Sequence, residues 1–206
     1  MEDLGIPDRL LVNQEQAHFF DGAVELFDQE QPPHILSNLD EIVDAAGIRA
    51  GETVLDVGAG VGVLVPLIRD RGAGRILACE LSQGMLSRLK AKHPDAETHL
   101  GDVADLGLPD GSLDAIFMNA VFPNIADKLT ALKNCARMLR FGGRLVISHP
   151  EGRAFVERLR EIVPFPLDPL PIFPQLRRML NHLPLKLFRY VDRSDLYLAV
   201  IRREKG

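Results

Sequence analysis

The 206-residue chain predicts an α/β fold, an open, doubly wound and mostly parallel sheet of seven strands. Three observations carry this. The short apolar run Thr53–Val57 ends in Gly58, Ala59, Gly60, Val61 and Gly62 and feeds an apolar helical pattern, as a strand–turn–helix unit does. Further strand-like runs then alternate with helical stretches as far as Ser148. Last, two strand-like runs, 185–192 and 196–202, are joined by Arg193, Ser194 and Asp195. That link is too short for a parallel crossover, so the pair forms an antiparallel hairpin.

The elements follow in order. Residues 14–28 give a helical pattern with Phe19, Phe20 and Phe27, broken by Gln31, Pro32, Pro33 and His34. A second helix runs over 37–46 and ends at Gly47. Strand 53–57 is followed by a helix over about 61–71, then by the strand 75–80. Ser82 reads as the N-cap of a helix through Lys92. Strands at 98–102 and 112–119 lead to a helix over 128–139. Phe141, Gly142 and Gly143 form a turn before the fifth strand, 144–148. Pro150, Pro164, Pro166, Pro169, Pro171 and Pro174 argue against a continuous helix over 150–174 and for a loop-rich insert that acts as a lid. A helix over 175–181 precedes the hairpin.

At 46% hydrophobic and 26% charged residues, the composition is that of a globular domain long enough to bury one sizeable core. A net charge of −5 leaves no broad electrostatic footprint for nucleic acid. The small cluster Arg202, Arg203, Glu204 and Lys205 reads as a solvated terminus. Cys79 and Cys135 fall in buried elements without a CxxC spacing, which argues against a disulfide or a zinc site. Residues 1–3 lack the basic and apolar regions of a signal peptide, and no apolar run reaches membrane-spanning length. The expected location is cytoplasmic.

The loop chemistry separates two ligand classes. The dinucleotide fingerprint is G-x-G-x-x-G/A. Here the third glycine comes one residue early, and Val63 fills its place. Asp56 stands inside the motif, where it repels a pyrophosphate and attracts a cation. This D-x-G-x-G-x-G pattern resembles motif I of the class I S-adenosylmethionine (SAM) methyltransferases, whose sheet is Rossmann-like with one antiparallel strand near the edge. SAM carries an ammonium and a sulfonium and no phosphate.

The resemblance covers about residues 17–203 and implies roles for particular residues. Asp56, Gly58, Ala59, Gly60 and Gly62 form the cofactor loop. Glu80, at the end of the second strand, accepts hydrogen bonds from both ribose hydroxyls, and Leu81 packs on adenine. Asp102 accepts the adenine amino group and the Val103 amide donates to a ring nitrogen. Asn119 meets the methionine end. Without the resemblance, Glu80 reads as a helix-entry acid and Asp102 as an Asx-turn residue. Segments 108–114 and 139–143 match structural turns of the family, the second with Phe141 in place of proline. The histidine pair that many relatives carry is replaced here by Phe122, Pro123, Asn124 and Ile125. No acidic constellation for Mg²⁺ is present, so no catalytic metal is expected.

Methyl transfer from a sulfonium is an in-line displacement that needs alignment above all, and a base only where the acceptor must lose a proton. His149, directly after the fifth strand, is the candidate base, with a backbone-bonded loop histidine as the alternative. His18, a second candidate catalytic residue, and Asp21 are candidates to cover the cofactor pocket. Arg153 is a candidate to hold an anionic acceptor group. Phe20 and Phe122, with the other aromatic residues, point to a small, partly apolar acceptor or to a core beneath a loop. The chain divides into an N-terminal helical cap (1–47), a SAM-binding core (48–148), a substrate lid (149–184) and the C-terminal hairpin (185–206). The resemblance is to the ubiquinone-biosynthesis-like set of small-molecule methyltransferases. The expected function is therefore metal-independent, SAM-dependent methylation of a small molecule by a monomer or homodimer. A non-catalytic SAM-binding protein and a nicotinamide oxidoreductase are the competing readings.

Overall fold

The computed structural model describes residues 8–205. The absence of a leader read from residues 1–3 lies outside them, as do the ends of the cap and hairpin segments. The strands are β1 (Thr53–Val57), β2 (Arg75–Glu80), β3 (Glu97–Leu100), β4 (Leu113–Asn119), β5 (Leu139–His149), β6 (Leu185–Asp192) and β7 (Tyr197–Arg203). They form a seven-stranded sheet in the order β3-β2-β1-β4-β5-β7-β6. The first five strands pair in parallel, and β7 runs antiparallel to both β5 and β6. The one antiparallel strand is thus inserted next to the edge. The order reverses between β1 and β4, and such a switch point opens a crevice at the carboxyl ends of the strands.

The alternation of side chains along each strand builds two cores. Val54, Ala115, Phe117 and Val146 face one side, against Leu39, Ile42 and Val43 of α3 (Pro33–Ala46) and Ile68 of α4 (Val65–Asp70). Leu55, Ile116, Met118 and Ile147 face the other, against Leu132 and Cys135 of α6 (Lys128–Met138) and Leu176 of α8 (Phe173–Leu180). Under the sheet, buried Arg144 binds buried Glu52 through contacts of 2.5 and 3.0 Å and donates to the Ala46 carbonyl at 2.8 Å. The remaining helices are α1 (Arg9–Gly22), α2 (Val24–Phe27), α5 (Gln83–Lys92) and α7 (Gly152–Leu159). As its sequence predicts, Ser82 caps α5, accepting from the Met85 amide at 3.0 Å. Gly47 ends α3 in the left-handed conformation.

Several boundaries differ from expectation, each for a physical reason. The helix expected over 14–28 starts at Arg9 and breaks at Ala23 into α1 and α2. Pro33 does not terminate anything. It occupies the first turn of α3, where its missing N–H costs no hydrogen bond. The helix after the glycine loop begins only at Val65, because residues 61–64 still form the turn. The expected turn at Phe141, Gly142 and Gly143 lies within β5, beside a register shift opposite Leu113 and Ala115. The proline-rich insert contains a regular helix, α7. Pro150 precedes it and Pro164 follows it, so the prolines bracket a helix instead of preventing one. No helix among the described residues is long and apolar enough to cross a membrane.

Candidate active site

A cavity of about 510 Å³ opens at the carboxyl ends of β1, β2, β4 and β5, beneath α1 and α2. This is the size range of small-molecule sites. The loop after β1 forms its floor. The Gly58 amide donates to the Cys79 carbonyl at 2.8 Å, and the Gly60 amide donates to Glu80 Oε2 at 2.9 Å. Three glycines serve three purposes. A Cβ on Gly58 would overlap the Val121 side chain. One on Gly62 would come within 2.8 Å of His93 and 2.9 Å of Leu89. One on Gly60 would meet nothing within 4 Å and would stand in the open cavity, on a backbone with φ of 53°. Gly58, Ala59 and Gly60 line the cavity, whereas Gly62 packs against α5 and lies outside it.

Glu80 is buried, and its carboxylate holds the loop together. Oε1 accepts from the Leu81 amide at 2.8 Å and the Ser82 amide at 3.0 Å, while Oε2 takes Gly60. Three of its roughly four acceptor sites are filled by the protein. Burial raises its pKa, and these three amides oppose that rise. Asp56 is 2% exposed in the central strand. Burial, reinforced by Glu80, pushes its pKa up to about 8, and no donor offsets this among the described residues. Asp102 caps the turn Val103–Asp105 through the Ala104 amide at 2.9 Å and accepts from Asn13 Nδ2 at 2.8 Å. Leu81, Val103 and Asn119 also line the cavity, and Asn119 Oδ1 accepts from Ser148 at 3.0 Å. Ala120 follows with φ of 56°, a strained value for a residue with a Cβ.

His149 lines the cavity, tilted at 41° against Phe155 with ring centroids 5.3 Å apart. Its Nδ1 accepts from the Glu151 amide at 3.2 Å, and burial lowers its pKa to about 4. Phe20 and Phe27 also line the cavity. Phe20 also packs on Phe19 and on Phe165 of the proline-rich segment, at 5.4 and 5.9 Å.

Other expected site residues lie elsewhere, and helical geometry explains two of them. On α1, Asn13, Gln16 and Phe20 share the cavity face, so His18, two positions from each of the last two, points to solvent. On α7, Glu151, Phe155 and Leu159 share the cavity face. Arg153 is turned away and pairs with Asp192 at 2.8 Å. Asp21 does not cover the pocket either. It accepts from Ser82 Oγ at 2.5 Å and the Gly84 amide at 2.8 Å, clipping α1 to α5. Phe122 is fully buried in the core, the alternative that its aromatic context allowed. Asn13, Gln16 and Glu151 belong to the cavity but carry no motif. Only the faces of α1 and α7, once placed, reveal them.

The charge of the lining is one-sided. Asp56, Glu80, Asp102 and Glu151 contribute to it, and no lysine or arginine does. Such a site suits a cationic, phosphate-free ligand, and the open space over Gly60 leaves room for it to approach the backbone.

Residues 55–147 match a family profile described as a methyltransferase domain. A demethylmenaquinone methyltransferase of Beutenbergia cavernae is 36% identical over 106 residues, covering 52% of this chain and 44% of that protein. The chain thus spans less than half the length of this curated relative. A chain from the complex between the Haloferax volcanii Trm112 methyltransferase activator and a methyltransferase superposes with a TM-score of 0.78 at 19% identity, over 95% of this chain and 98% of that one. Geranyl diphosphate C-methyltransferase from Streptomyces coelicolor A3(2), solved with S-adenosyl-L-homocysteine, superposes with a TM-score of 0.75 at 12% identity, over 93% and 98%. Both likenesses speak for the fold. The matched segment runs from β1 to β5 and contains the acidic glycine loop, Glu80, Asp102 and Asn119. Residues 55–147 of this chain are thus similar to a methyltransferase domain, and the sheet around them has the fold of the solved methyltransferases.

Proposed function

We propose that the chain binds SAM in this cavity and transfers its methyl group to a small, uncharged acceptor with an apolar body, without a metal. The observation that carries this is the lining: four carboxylates, no lysine or arginine, and a wall of Phe20, Phe27, Ile35, Leu39 and Phe155. An anionic acceptor or a dinucleotide pyrophosphate would find no cation there. The same lining and the net charge of −5 speak against nucleic acid as the acceptor.

Asp56, with Asn119, would hold the cationic methionine end, and Gly58, Ala59 and Gly60 would admit the ligand backbone. Glu80 would take the ribose through its remaining acceptor site and by yielding the Gly60 amide. Leu81 and Val103 would flank adenine, with Asp102 at its amino group in place of Asn13. Bound SAM supplies a methyl on a sulfonium, which departs as a neutral thioether. The protein's part is to align the acceptor and exclude water. Residues 8–47, the described part of the cap, cover the cavity and 149–184 act as a lid, the two meeting through Phe20 and Phe165. We place the protein in the cytoplasm.

Calorimetric titration of the purified chain with SAM, with NADH as comparison, tests the reading. Binding of SAM alone is expected. Binding of neither, or of NADH alone, would overturn it.

A further inference from the structure

The turn leaving β5 is held from three sides. Asn38, buried on α3, donates to the Pro150 and Asp195 carbonyls, each at 2.9 Å. Gly152 has φ of 70°, and a Cβ there would come within 2.9 Å of the Arg193 and Ser194 carbonyl oxygens. The Glu151 amide closes the turn on His149 Nδ1 at 3.2 Å. The turn presents two titratable side chains to the cavity, His149 and Glu151.

Their chemistry is opposite. An imidazole whose Nδ1 accepts a hydrogen bond carries its proton on Nε2. Burial keeps the His149 ring neutral above about pH 4, and its Nε2 has no partner among the described residues. In this state His149 has a proton to donate and no free nitrogen to receive one. Glu151 is half-buried, and its carboxylate makes no hydrogen bond among the described residues. Burial raises its pKa, while His34 on α3 and Arg158 on α7 pull it down. The protein shifts the two groups in opposite directions, weakening the imidazole as a proton acceptor and strengthening the carboxylate as one.

We propose that Glu151 is the general base of methyl transfer, and that His149 donates from Nε2–H to an oxygen of the acceptor and positions it. This rests on the methyltransferase reading and narrows its acceptor to a neutral molecule with an acidic O–H, a phenol or an enol. The hydroxyl proton passes to a Glu151 carboxylate oxygen. The electron pair left on the acceptor oxygen forms the bond to the methyl carbon. The pair of the broken carbon–sulfur bond stays on the sulfur, and the product is a methyl ether.

Two experiments test it. In the ligand-free, ¹⁵N-labelled chain, long-range proton–nitrogen spectra should show His149 with unprotonated Nδ1 and protonated Nε2 from pH 5.5 to 8. A charged ring or the opposite tautomer would overturn its role. Carboxyl ¹³C spectra of wild type and Glu151→Gln should place the Glu151 titration above the ordinary glutamate value; a value at or below it would remove Glu151 as base.

Methyl transfer to phenol and 2-naphthol, both neutral from pH 5.5 to 8, is then followed against pH, using variants whose SAM affinity is unchanged. Glu151→Gln should lower kcat about 100-fold or more and abolish the acid limb of the profile, with partial recovery in Glu151→Asp. His149→Gln should raise KM and keep the acid limb. An unchanged kcat in Glu151→Gln, or loss of the limb in His149→Gln, would sink the assignment. Transfer to neither phenol would sink the acceptor class. A chain that fails to bind SAM would instead fail the methyltransferase reading and leave the tautomer and titration results standing.

Discussion

Glu80 Oε2 accepts the Gly60 amide at 2.9 Å, so a carboxylate at the end of β2 fixes the loop that leaves β1. Ligand recognition and loop order therefore share one side chain. Glu80→Gln keeps the shape but loses the charge and one acceptor atom. It should weaken SAM binding about ten- to hundredfold, roughly 1.5–3 kcal/mol. It should also destabilise the ligand-free protein by about 1–3 kcal/mol, because a backbone amide loses its acceptor. Calorimetry and urea denaturation measure the two effects, and unaltered SAM affinity would reject the assignment of the site.

The loop glycines should separate in their effects. Gly60→Val places its side chain in the cavity, so SAM binding should be lost; the fold should survive with lowered stability, because φ of 53° strains a β-branched residue. Gly62→Ala meets Leu89 on α5 and His93 just after it, so stability should fall by about 1–3 kcal/mol while SAM affinity at low temperature is retained. Thermal melts with and without SAM distinguish the two. Loss of binding in a folded Gly62→Ala would mean that Gly62 belongs to the site.

Asp56 couples binding to pH. Its carboxyl is held up to about 8 in the free protein, and a cationic ligand favours the ionised form. SAM affinity should therefore fall as pH drops below about 8, by up to about tenfold per pH unit, with about one proton released on binding near pH 7. Titrations in buffers of different ionisation enthalpy count that proton. The sign for stability is the reverse. An acid with a raised pKa in the folded state contributes stability that is full below the ordinary aspartate value near 4 and is lost as pH rises to about 8. Ligand-free Asp56→Asn should thus melt several degrees above wild type at pH 8 and close to it at pH 4, while binding SAM more weakly. A variant no more stable than wild type at pH 8 would show that Asp56 is not held protonated.

Arg153 and Phe122 should behave as structural residues. The Arg153–Asp192 pair is partly exposed, so Arg153→Ala should cost under about 1 kcal/mol and leave SAM binding and methyl transfer unchanged. Phe122→Ala should cost about 3–5 kcal/mol as a core truncation. Chemical denaturation with parallel binding assays checks both, and a selective loss of acceptor turnover in Arg153→Ala would return it to the site.

The central sheet was legible because each of its signals is local. The residues of β1, β2 and β6 follow from their apolar runs, Ser82 from its place before a helix, and the hairpin from a link too short to cross over. The irregular parts obey less local rules. Pro33 and Pro150 are the same residue type as the prolines that break helices, yet each sits where a helix begins, and nothing in the residue itself distinguishes the two uses.

By itself the sequence determined the acidic glycine loop, the strand that carries Asp56 and the carboxylate of Glu80. Their chemistry depends on residue type and on spacing within one strand–turn–helix unit. Tertiary structure decided which side chains share the cavity. His18 and Arg153 lie within a few residues of Phe20, Glu151 and Phe155, but a helix turns about 100° per residue and carries them to the other face. It also decided the state of His149. The sequence offers a histidine at a strand end, whereas burial and the Glu151 amide together fix which of its nitrogens holds the proton.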